Sequence, residues 1–191
     1  MKVKQDESMK FHKFFKGHYR KRNELVVDLL QIHKPKRIIE YAAGDSDIPE
    51  LLFKRKGNYK PEKYFWSDRE IKFVKLAAAR LEKYQKYFEF KKIDVDTNDF
   101  LDVSWNSFDC LIANSPEHVN RDLTILASLK KECLVIMTLP KFLIQSGGHK
   151  RCFGIEEEVR IRYGNLIRIE KIIDLEKTIN YKSWFVYGFK S

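Results

Sequence analysis

Short apolar runs that alternate with amphipathic segments constrain the fold of this chain more than any other feature. Runs such as "KYFWSD" (63–68) and "CLVIMTL" (133–139) have the length and the β-branched and aromatic content of strands. Strands that alternate with helices predict an α/β layered fold with a mostly parallel sheet covered on both faces. The predicted strands span 37–43, 63–68, 88–95, 108–114, 133–139, 166–175 and 183–190. The predicted helices span 22–34, 48–56, 70–87, 122–131 and 155–164, the first ended by Pro35 and the last by a left-handed Gly164.

Positive charge is concentrated at the start of the chain. The chain has 191 residues and a net charge of +10, which favours an anionic partner, most often nucleic acid. Eight Lys or Arg and interleaved aromatic residues lie within residues 1–22. This stretch is either a frayed arm with a solvated charge run or an arm or helix that faces nucleic acid. We therefore predict a basic N-terminal arm (1–22) followed by a single domain (23–191), which is long enough for a full core.

Cysteine usage and hydropathy limit the class of protein. Cys110, Cys133 and Cys152 are scattered and form no CxxC pair, which argues against a disulfide framework and against a metal site. Cys110 and Cys133 lie in apolar runs and are predicted to be core thiols. The N-terminus has no signal-like apolar run, and no run reaches 18 apolar residues. These features predict a soluble, intracellular, cytoplasmic protein without membrane contact.

Small and acidic residues follow the predicted strands at the edge where parallel sheets bind ligands. After the first strand, Ala42, Ala43 and Gly44 allow a ligand to approach the backbone, or form an ordinary turn. Asp68 ends the second strand, either as a helix N-cap or as an acceptor for ribose hydroxyls. Asp94 ends the third strand, as a turn cap or as an acceptor for an adenine amino group.

Taken in order, these strand ends resemble those of class I S-adenosylmethionine-dependent methyltransferases. The stretch "IIEYAAGDSD" (38–47) is similar to family motifs of the form "LDPAAGSGG". The resemblance implies a Rossmann-like fold with a seven-stranded, mostly parallel sheet, an antiparallel last strand and helices on both faces. It implies S-adenosyl-L-methionine as cofactor, with Asp68 on the ribose and Asp94 near the adenine. Asp45-Ser46-Asp47 replace the Ser-Gly-Gly usual in the family, and the two carboxylates either bind the methionine ammonium or crowd the site. The implied cofactor-binding residues are Glu40, Ala42, Gly44, Asp45, Asp68, Asp94 and Asn114.

The fourth strand end narrows the resemblance. "FDCLIANSPE" (108–117) resembles the "FDVIVANPPY" of amino methyltransferases, especially the adenine-N6 DNA methylases. The resemblance implies that Asn114 and the carbonyl after it, at Ser115, accept the hydrogens of the target amine. Pro116 would keep the turn rigid because its φ is fixed.

Glu117 departs from the family pattern, which has Tyr or Phe at this position. A carboxylate cannot supply the stacking energy of about 1–3 kcal/mol that an aromatic ring gives a base. It could instead accept hydrogen bonds from a base edge or from a protonated substrate. His118 could stack partly or act as a base, and Phe142, Tyr181 or Trp184 could supply the platform from elsewhere.

The resemblance and the charge predict a methyltransferase acting on an exocyclic amino group in nucleic acid, with adenine N6 in DNA ahead of RNA. One alternative is a methyltransferase for RNA, protein or a small molecule. The other is an inactive methyltransferase fold that binds nucleic acid. Since no target-recognition domain is visible in the sequence, the specificity is expected to be either low or supplied by a separate partner.

Overall fold

Seven strands form one mixed sheet in the computed structural model, which describes residues 4–57, 59–94, 97–114, 119–141, 153–179 and 182–191. The strand order is β3-β2-β1-β4-β5-β7-β6. Strands β1 to β5 pair in parallel, and β7 lies antiparallel between β5 and β6. This arrangement confirms the predicted fold class, including the antiparallel last strand. The strands are β1 (Arg37–Tyr41), β2 (Lys63–Asp68), β3 (Phe88–Lys92), β4 (Cys110–Asn114), β5 (Leu134–Pro140), β6 (Ile167–Asp174) and β7 (Ser183–Lys190).

Helices cover both faces of the sheet, as predicted. The described helices are α1 (Lys4–His33), α2 (Ile48–Lys54), α3 (Ile71–Arg80), α4 (Val119–Ser128), α5 (Glu156–Tyr163) and α6 (Leu175–Ile179). Apolar residues of α1, α2, α3 and α6 pack on one face, and those of α4 and α5 pack on the other. Cys110 and Cys133 are buried, one in each core, whereas Cys152 lies outside the described residues. Within the described ranges, no helix combines the length and apolarity needed to cross a bilayer.

The first helix runs through the predicted boundary between arm and domain. Helix α1 is continuous from Lys4 to His33, a length of about 45 Å at 1.5 Å per residue. It ends before Pro35 as expected, with Lys34 in the left-handed region (φ 49°). The basic stretch is therefore part of the same helix as the segment that packs on the sheet.

The predicted helix over 70–87 is divided into two parts. Helix α3 ends at Arg80, and a 3-10 turn covers Glu82–Tyr87. The change of helix type brings two tyrosines against Phe53. The Phe53 ring centroid lies 4.7 Å from that of Tyr84 and 5.1 Å from that of Tyr87. Aromatic packing thus overrides the helical periodicity of the sequence.

The end of α5 also differs from the prediction. Gly164 has φ −59°, a right-handed conformation, and its N–H donates to the carbonyl of Arg160 (2.8 Å). A Cβ at this position would lie 2.6 Å from the same carbonyl oxygen. Glycine is required here for close approach of the backbone and not for a positive φ.

A glycine in β7 allows this strand to pair on both sides. A Cβ on Gly188 would lie 2.3 Å from the carbonyl oxygen of Arg168, next to an irregularity between Ile169 and Lys171 of β6. We expect Gly188→Ala to lower the free energy of unfolding by about 1–3 kcal/mol, because β6 must shift. Urea denaturation measures this. Gly154→Ala is the control, since its Cβ would meet only a side-chain oxygen at 3.7 Å; equal effects of the two substitutions would contradict the prediction.

Candidate active site

The candidate site lies where the order of strands reverses. Strand β1 pairs in parallel with β2 on one side and with β4 on the other. The connections that follow β1 and β4 therefore diverge and leave a crevice at the carboxyl edge, the usual ligand position in such sheets. The strand ends that the sequence singles out meet at this edge.

The turn after β1 has an unusual backbone. Ala42 (φ 51°) and Gly44 (φ 58°) both adopt the left-handed region, which costs an alanine about 1–2 kcal/mol. The N–H of Ala43 between them donates to the carbonyl of Ser67 in β2 (3.2 Å). A Cβ on Gly44 would meet no atom within 4 Å, so there is open space beside this backbone. The turn therefore offers a ligand close access to main-chain atoms.

Asp68 joins this turn to the end of β2. One carboxylate oxygen accepts the N–H of Gly44 (2.8 Å), and the other accepts the N–H of Glu70 (2.8 Å). Asp68 is buried, with 7% of its surface exposed. The N-cap position of α3 belongs to Glu70, so Asp68 does not occupy the position of the capping alternative. Its carboxylate fixes the turn instead.

Glu40 supports the turn from beneath. It is fully buried in β1, and its carboxylate accepts a hydrogen bond from the Tyr64 hydroxyl (2.6 Å). Burial raises the pKa of Glu40 to about 7, against the opposing effects of hydrogen bonds from Ser46 and Tyr64 and of the Arg22 charge. This predicted cofactor-binding residue is therefore covered by protein in the conformation described.

Helix α1 supplies two buried polar residues to the site. Arg22, 5% exposed, donates through Nε (2.9 Å) and Nη2 (2.5 Å) to the Oδ1 atom of Asn23. Asn23, 1% exposed, donates through Nδ2 to Oδ1 of Asp47 (2.5 Å). Asp47 lies at the end of the turn after β1. The helix that carries the basic stretch is thus bonded directly to this turn.

Helix α3 contributes an arginine to the same turn. Arg80 donates through Nη1 to the carboxylate of Asp45 (2.6 Å) and through Nη2 to the carbonyl of Ser46 (2.7 Å). Its Nε lies 3.0 Å from Oε1 of Glu50. Asp45, a predicted ligand of the cofactor ammonium, is therefore already paired with a cation.

Asp94 lies beyond β3, close to Asp68. The N–H of the preceding Ile93 donates to the carbonyl of Asp68 (3.1 Å). The carbonyl of Asp94 accepts the hydroxyl of Thr97 (2.9 Å). The structure thus places Asp94 at the same edge as Asp68, as the sequence predicts.

The predicted catalytic motif is described only at its first residue. Asn114 ends β4, with its backbone in register with Thr138 of β5. Ser115, Pro116, Glu117 and His118 lie outside the described residues.

Trp184 is the one predicted stacking platform within the described residues, since Phe142 and Tyr181 lie outside them. The Nζ atom of Lys141 lies 4.3 Å from the Trp184 ring centroid and is paired with Asp174 (2.5 Å). The indole N–H donates to the carbonyl of Phe153 (2.7 Å). Trp184 is buried, and Lys141 covers one of its faces.

Sequence reasoning missed Asn23 and Arg80, which hold the turn after β1. Asn23 follows a run of three basic residues, and Arg80 ends a helix with charged residues at several positions. Nothing in the local pattern separates them from solvated charges. Thr138 was also missed, although its hydroxyl interrupts an apolar strand; this buried oxygen has no hydrogen-bond partner among the described residues.

Comparisons with known proteins identify the fold. A chain from the complex between the Haloferax volcanii Trm112 methyltransferase activator and a methyltransferase superposes with a TM-score of 0.71 at 12% identity, covering 97% of this chain and 94% of that chain. N-methyltransferase NodS from Bradyrhizobium japonicum WM9 gives 0.68 at 11% identity, with 91% and 97% covered. A SAM-dependent methyltransferase from Aquifex aeolicus gives 0.63 at 17% identity, with 88% and 89% covered. The chain therefore has the fold of S-adenosylmethionine-dependent methyltransferases.

Sequence comparison adds no closer relative. No protein-family model matches the chain. No curated protein matches it either. The solved structures therefore support the resemblance to methyltransferases through the fold alone.

The raised pKa of Glu40 makes stability depend on pH. The pKa rises from 4.5 to about 7 on folding, so the native state binds more protons than the unfolded state between these values. The stability contribution of protonated Glu40 is present below pH 4.5 and is lost as the pH rises towards 7. A shift of this size corresponds to about 3 kcal/mol. We expect Glu40→Gln to remove this loss, as measured by urea denaturation from pH 4.5 to 8.

An exposed glutamate on β3 provides the control for this pH profile. Glu89→Gln leaves Glu40 intact and should retain the wild-type dependence. A Glu40→Gln profile parallel to that of the wild type would mean that Glu40 ionises normally.

The hydrogen bond between α1 and the turn can be tested by exchanging its partners. Asn23→Asp places two carboxylates at hydrogen-bond distance and should lower the free energy of unfolding by about 1–3 kcal/mol. In the double variant Asn23→Asp with Asp47→Asn, the new amide at position 47 can donate to the new carboxylate at position 23. This variant should recover most of the lost stability, as measured by urea denaturation. If the double variant is as unstable as Asn23→Asp alone, the bond between these side chains does not hold the turn.

Proposed function

We propose that this chain is an S-adenosylmethionine-dependent methyltransferase that modifies an exocyclic amino group in nucleic acid, with adenine N6 in DNA as the favoured target. One observation carries the proposal. The turn with left-handed Ala42 and Gly44 is bonded to Asp68 at the crevice of a methyltransferase-type sheet, and Asn114 ends the neighbouring strand.

The residues at this edge fit S-adenosyl-L-methionine. Each carboxylate oxygen of Asp68 accepts one backbone N–H and retains a lone pair, so the side chain can also accept two vicinal ribose hydroxyls. The open space beside Gly44 leaves room for the ligand next to the backbone. Asp94 extends the same edge towards the adenine. Glu40 would act from beneath by supporting the turn.

Asn114 is the proposed catalytic residue. The bound cofactor supplies an electrophilic methyl group on a sulfonium. The side-chain oxygen of Asn114 and the carbonyl of Ser115 accept the two hydrogens of the target amine, which directs the nitrogen lone pair and fixes the approach. Pro116 limits the freedom of this segment. The target base would leave its stack to reach the site.

Charge supports nucleic acid as the substrate. The net charge is +10, and α1 carries basic residues from Lys4 onwards in the same helix that reaches the turn after β1. Asn23 of α1 is bonded to Asp47 of this turn, and residues 4–21 add about 27 Å of continuous helix before this contact. A basic helix beside the crevice would hold phosphates near the catalytic strand end.

A different methyl acceptor is the second candidate. Glu117 stands where adenine-N6 enzymes have an aromatic ring and favours a polar or protonated substrate in RNA, protein or a small molecule. A structural neighbour is an N-methyltransferase, which is consistent with an amine acceptor of either kind. Another neighbour is in complex with an activator, and we propose that a separate partner supplies specificity here too. The inactive, nucleic-acid-binding form of the fold is the outcome if no cofactor binds.

Two substitutions separate chemistry from cofactor binding. Asn114→Ala should abolish methyl transfer but retain cofactor affinity, because Asn114 acts on the amine. Asp68→Asn should weaken cofactor binding by about 1.5–3 kcal/mol, since it loses charge-assisted hydrogen bonds to the ribose. Calorimetry with S-adenosylmethionine and radiolabelled transfer to DNA, RNA and protein fractions measure the two effects.

The outcomes distinguish the candidates. A wild-type chain that binds no cofactor, with or without nucleic acid, is not a methyltransferase. Full activity of Asn114→Ala would show that the catalytic motif is assigned wrongly. Transfer to protein or RNA alone would favour the second candidate.

A further inference from the structure

Lysines and tyrosines form a compact cluster at the β3 edge of the sheet. The Nζ atom of Lys83 lies 4.8 Å from the Tyr84 ring centroid, and that of Lys86 lies 4.9 Å from the Tyr87 centroid. Lys60 reaches the same cluster, 5.9 Å from Tyr84. We call these five residues the lysine–tyrosine surface. It lies on a different part of the fold from the candidate active site.

The two tyrosine rings have a rigid base. Both are partly buried and pack against Phe53, which is itself buried, with centroids at 4.7 and 5.1 Å. Phe53 in turn contacts Phe88 of β3 (5.2 Å). The rings are therefore held in place by the core while their lysine neighbours remain exposed. Such ordered rings lose little conformational entropy when a ligand stacks on them.

Positive charge at this edge is not neutralised within the described parts of the chain. Lys60, Lys83 and Lys86 form no ion pair with any described carboxylate. At the opposite edge, Arg168 is paired with both Glu132 and Glu170. Residues 54–92 contain thirteen Lys or Arg and five Asp or Glu, a difference of eight in a chain whose net charge is +10. Two of these cations, Arg55 and Arg80, are paired with carboxylates outside this range, whereas the three lysines of the surface are not paired with any described carboxylate.

We propose that the lysine–tyrosine surface binds single-stranded nucleic acid. Exposed ammonium groups attract phosphates. When the flexible side chains of Lys83 and Lys86 move from the tyrosine rings to phosphates, an unpaired base of any sequence can take their place and stack on the ring. A duplex would use the lysines but could not stack its paired bases on the rings. An acidic peptide would likewise leave the tyrosines unused. The lysine Nζ atoms lie 4.8–5.9 Å from the tyrosine ring centroids, so phosphate binding and base stacking can occur together. This combination favours single-stranded nucleic acid over a duplex or a peptide.

The surface leads towards the candidate active site. Strand β3 runs from Phe88, next to Tyr87, to Lys92, which is in register with Asp68. A single-stranded nucleic acid bound alongside β3 would reach the carboxyl ends of the strands after about 13–17 Å, the length of β3. Exposed Lys91 and Lys92 continue the positive charge over this distance. The inference deepens the proposed function by naming a path for the substrate, but binding here requires no methyl transfer.

Fluorescence anisotropy with a labelled oligothymidylate of about 12 nucleotides, without cofactor, tests the proposal. Lys83→Ala combined with Lys86→Ala should weaken binding and reduce the slope of log K against log salt by about 1.4, or about 0.7 for each lost phosphate contact. The matched control is Lys131→Ala with Lys171→Ala, which removes the same charge from exposed lysines elsewhere. The control should change the slope much less.

Tyr84→Leu separates stacking from charge. It retains apolar packing on Phe53 and should weaken binding about tenfold at every salt concentration, without changing the slope. Equal effects of the two lysine pairs, equal affinity for a duplex, or unchanged affinity of Tyr84→Leu would each overturn the proposal. An oligonucleotide-binding chain that transfers no methyl group would refute the proposed function alone. Methyl transfer with unaffected lysine and tyrosine variants would refute this inference alone.

Discussion

The carboxylate of Asp68 is the contact on which the candidate site depends. Its two oxygens hold the N–H groups of Gly44 and Glu70, and its own carbonyl accepts the N–H of Ile93. One residue therefore sets the relative positions of the segments that follow β1, β2 and β3. Hydrogen bonds to a charged group are worth about 1.5–3 kcal/mol each, more than the left-handed backbone of Ala42 costs. The strained turn can persist because this acceptor is fixed beneath it.

The buried polar pair on α1 gives the helix a second role besides covering the sheet. Arg22 lies close enough to influence the ionisation of Glu40, and Asn23 is bonded to Asp47. Any displacement of α1 would therefore disturb both ends of the turn after β1. If phosphates bind the basic half of the helix, their binding and that of a ligand at the turn become linked, and each must affect the other equally. The hydrogen bond between Asn23 and Asp47 is the physical connection between the two positions.

Strand positions were predicted well from the sequence where apolar runs end at charged or turn-forming residues. Strands β2 and β7 match their predicted limits because "KYFWSD" and "SWFVYGFK" are bounded in this way. The 70–87 helix was predicted wrongly, since packing of Tyr84 and Tyr87 on Phe53 is a tertiary effect that helical periodicity cannot reveal. Gly44 and Asp68 could be proposed as neighbours because parallel strands end at one edge. Asn23 and Arg80 could not, because their roles depend on how distant helices dock.

The position of β7 determines when the sheet can be completed. Among the described residues, β6 pairs only with β7, and β7 also pairs with β5. Until residues 183–190 have been synthesised, β6 has no strand to pair with and β5 has an open edge. During synthesis, the half of the sheet that carries Asp68 and the turn after β1 can assemble early. The half beyond β5 has to wait, with an apolar strand edge exposed to other chains.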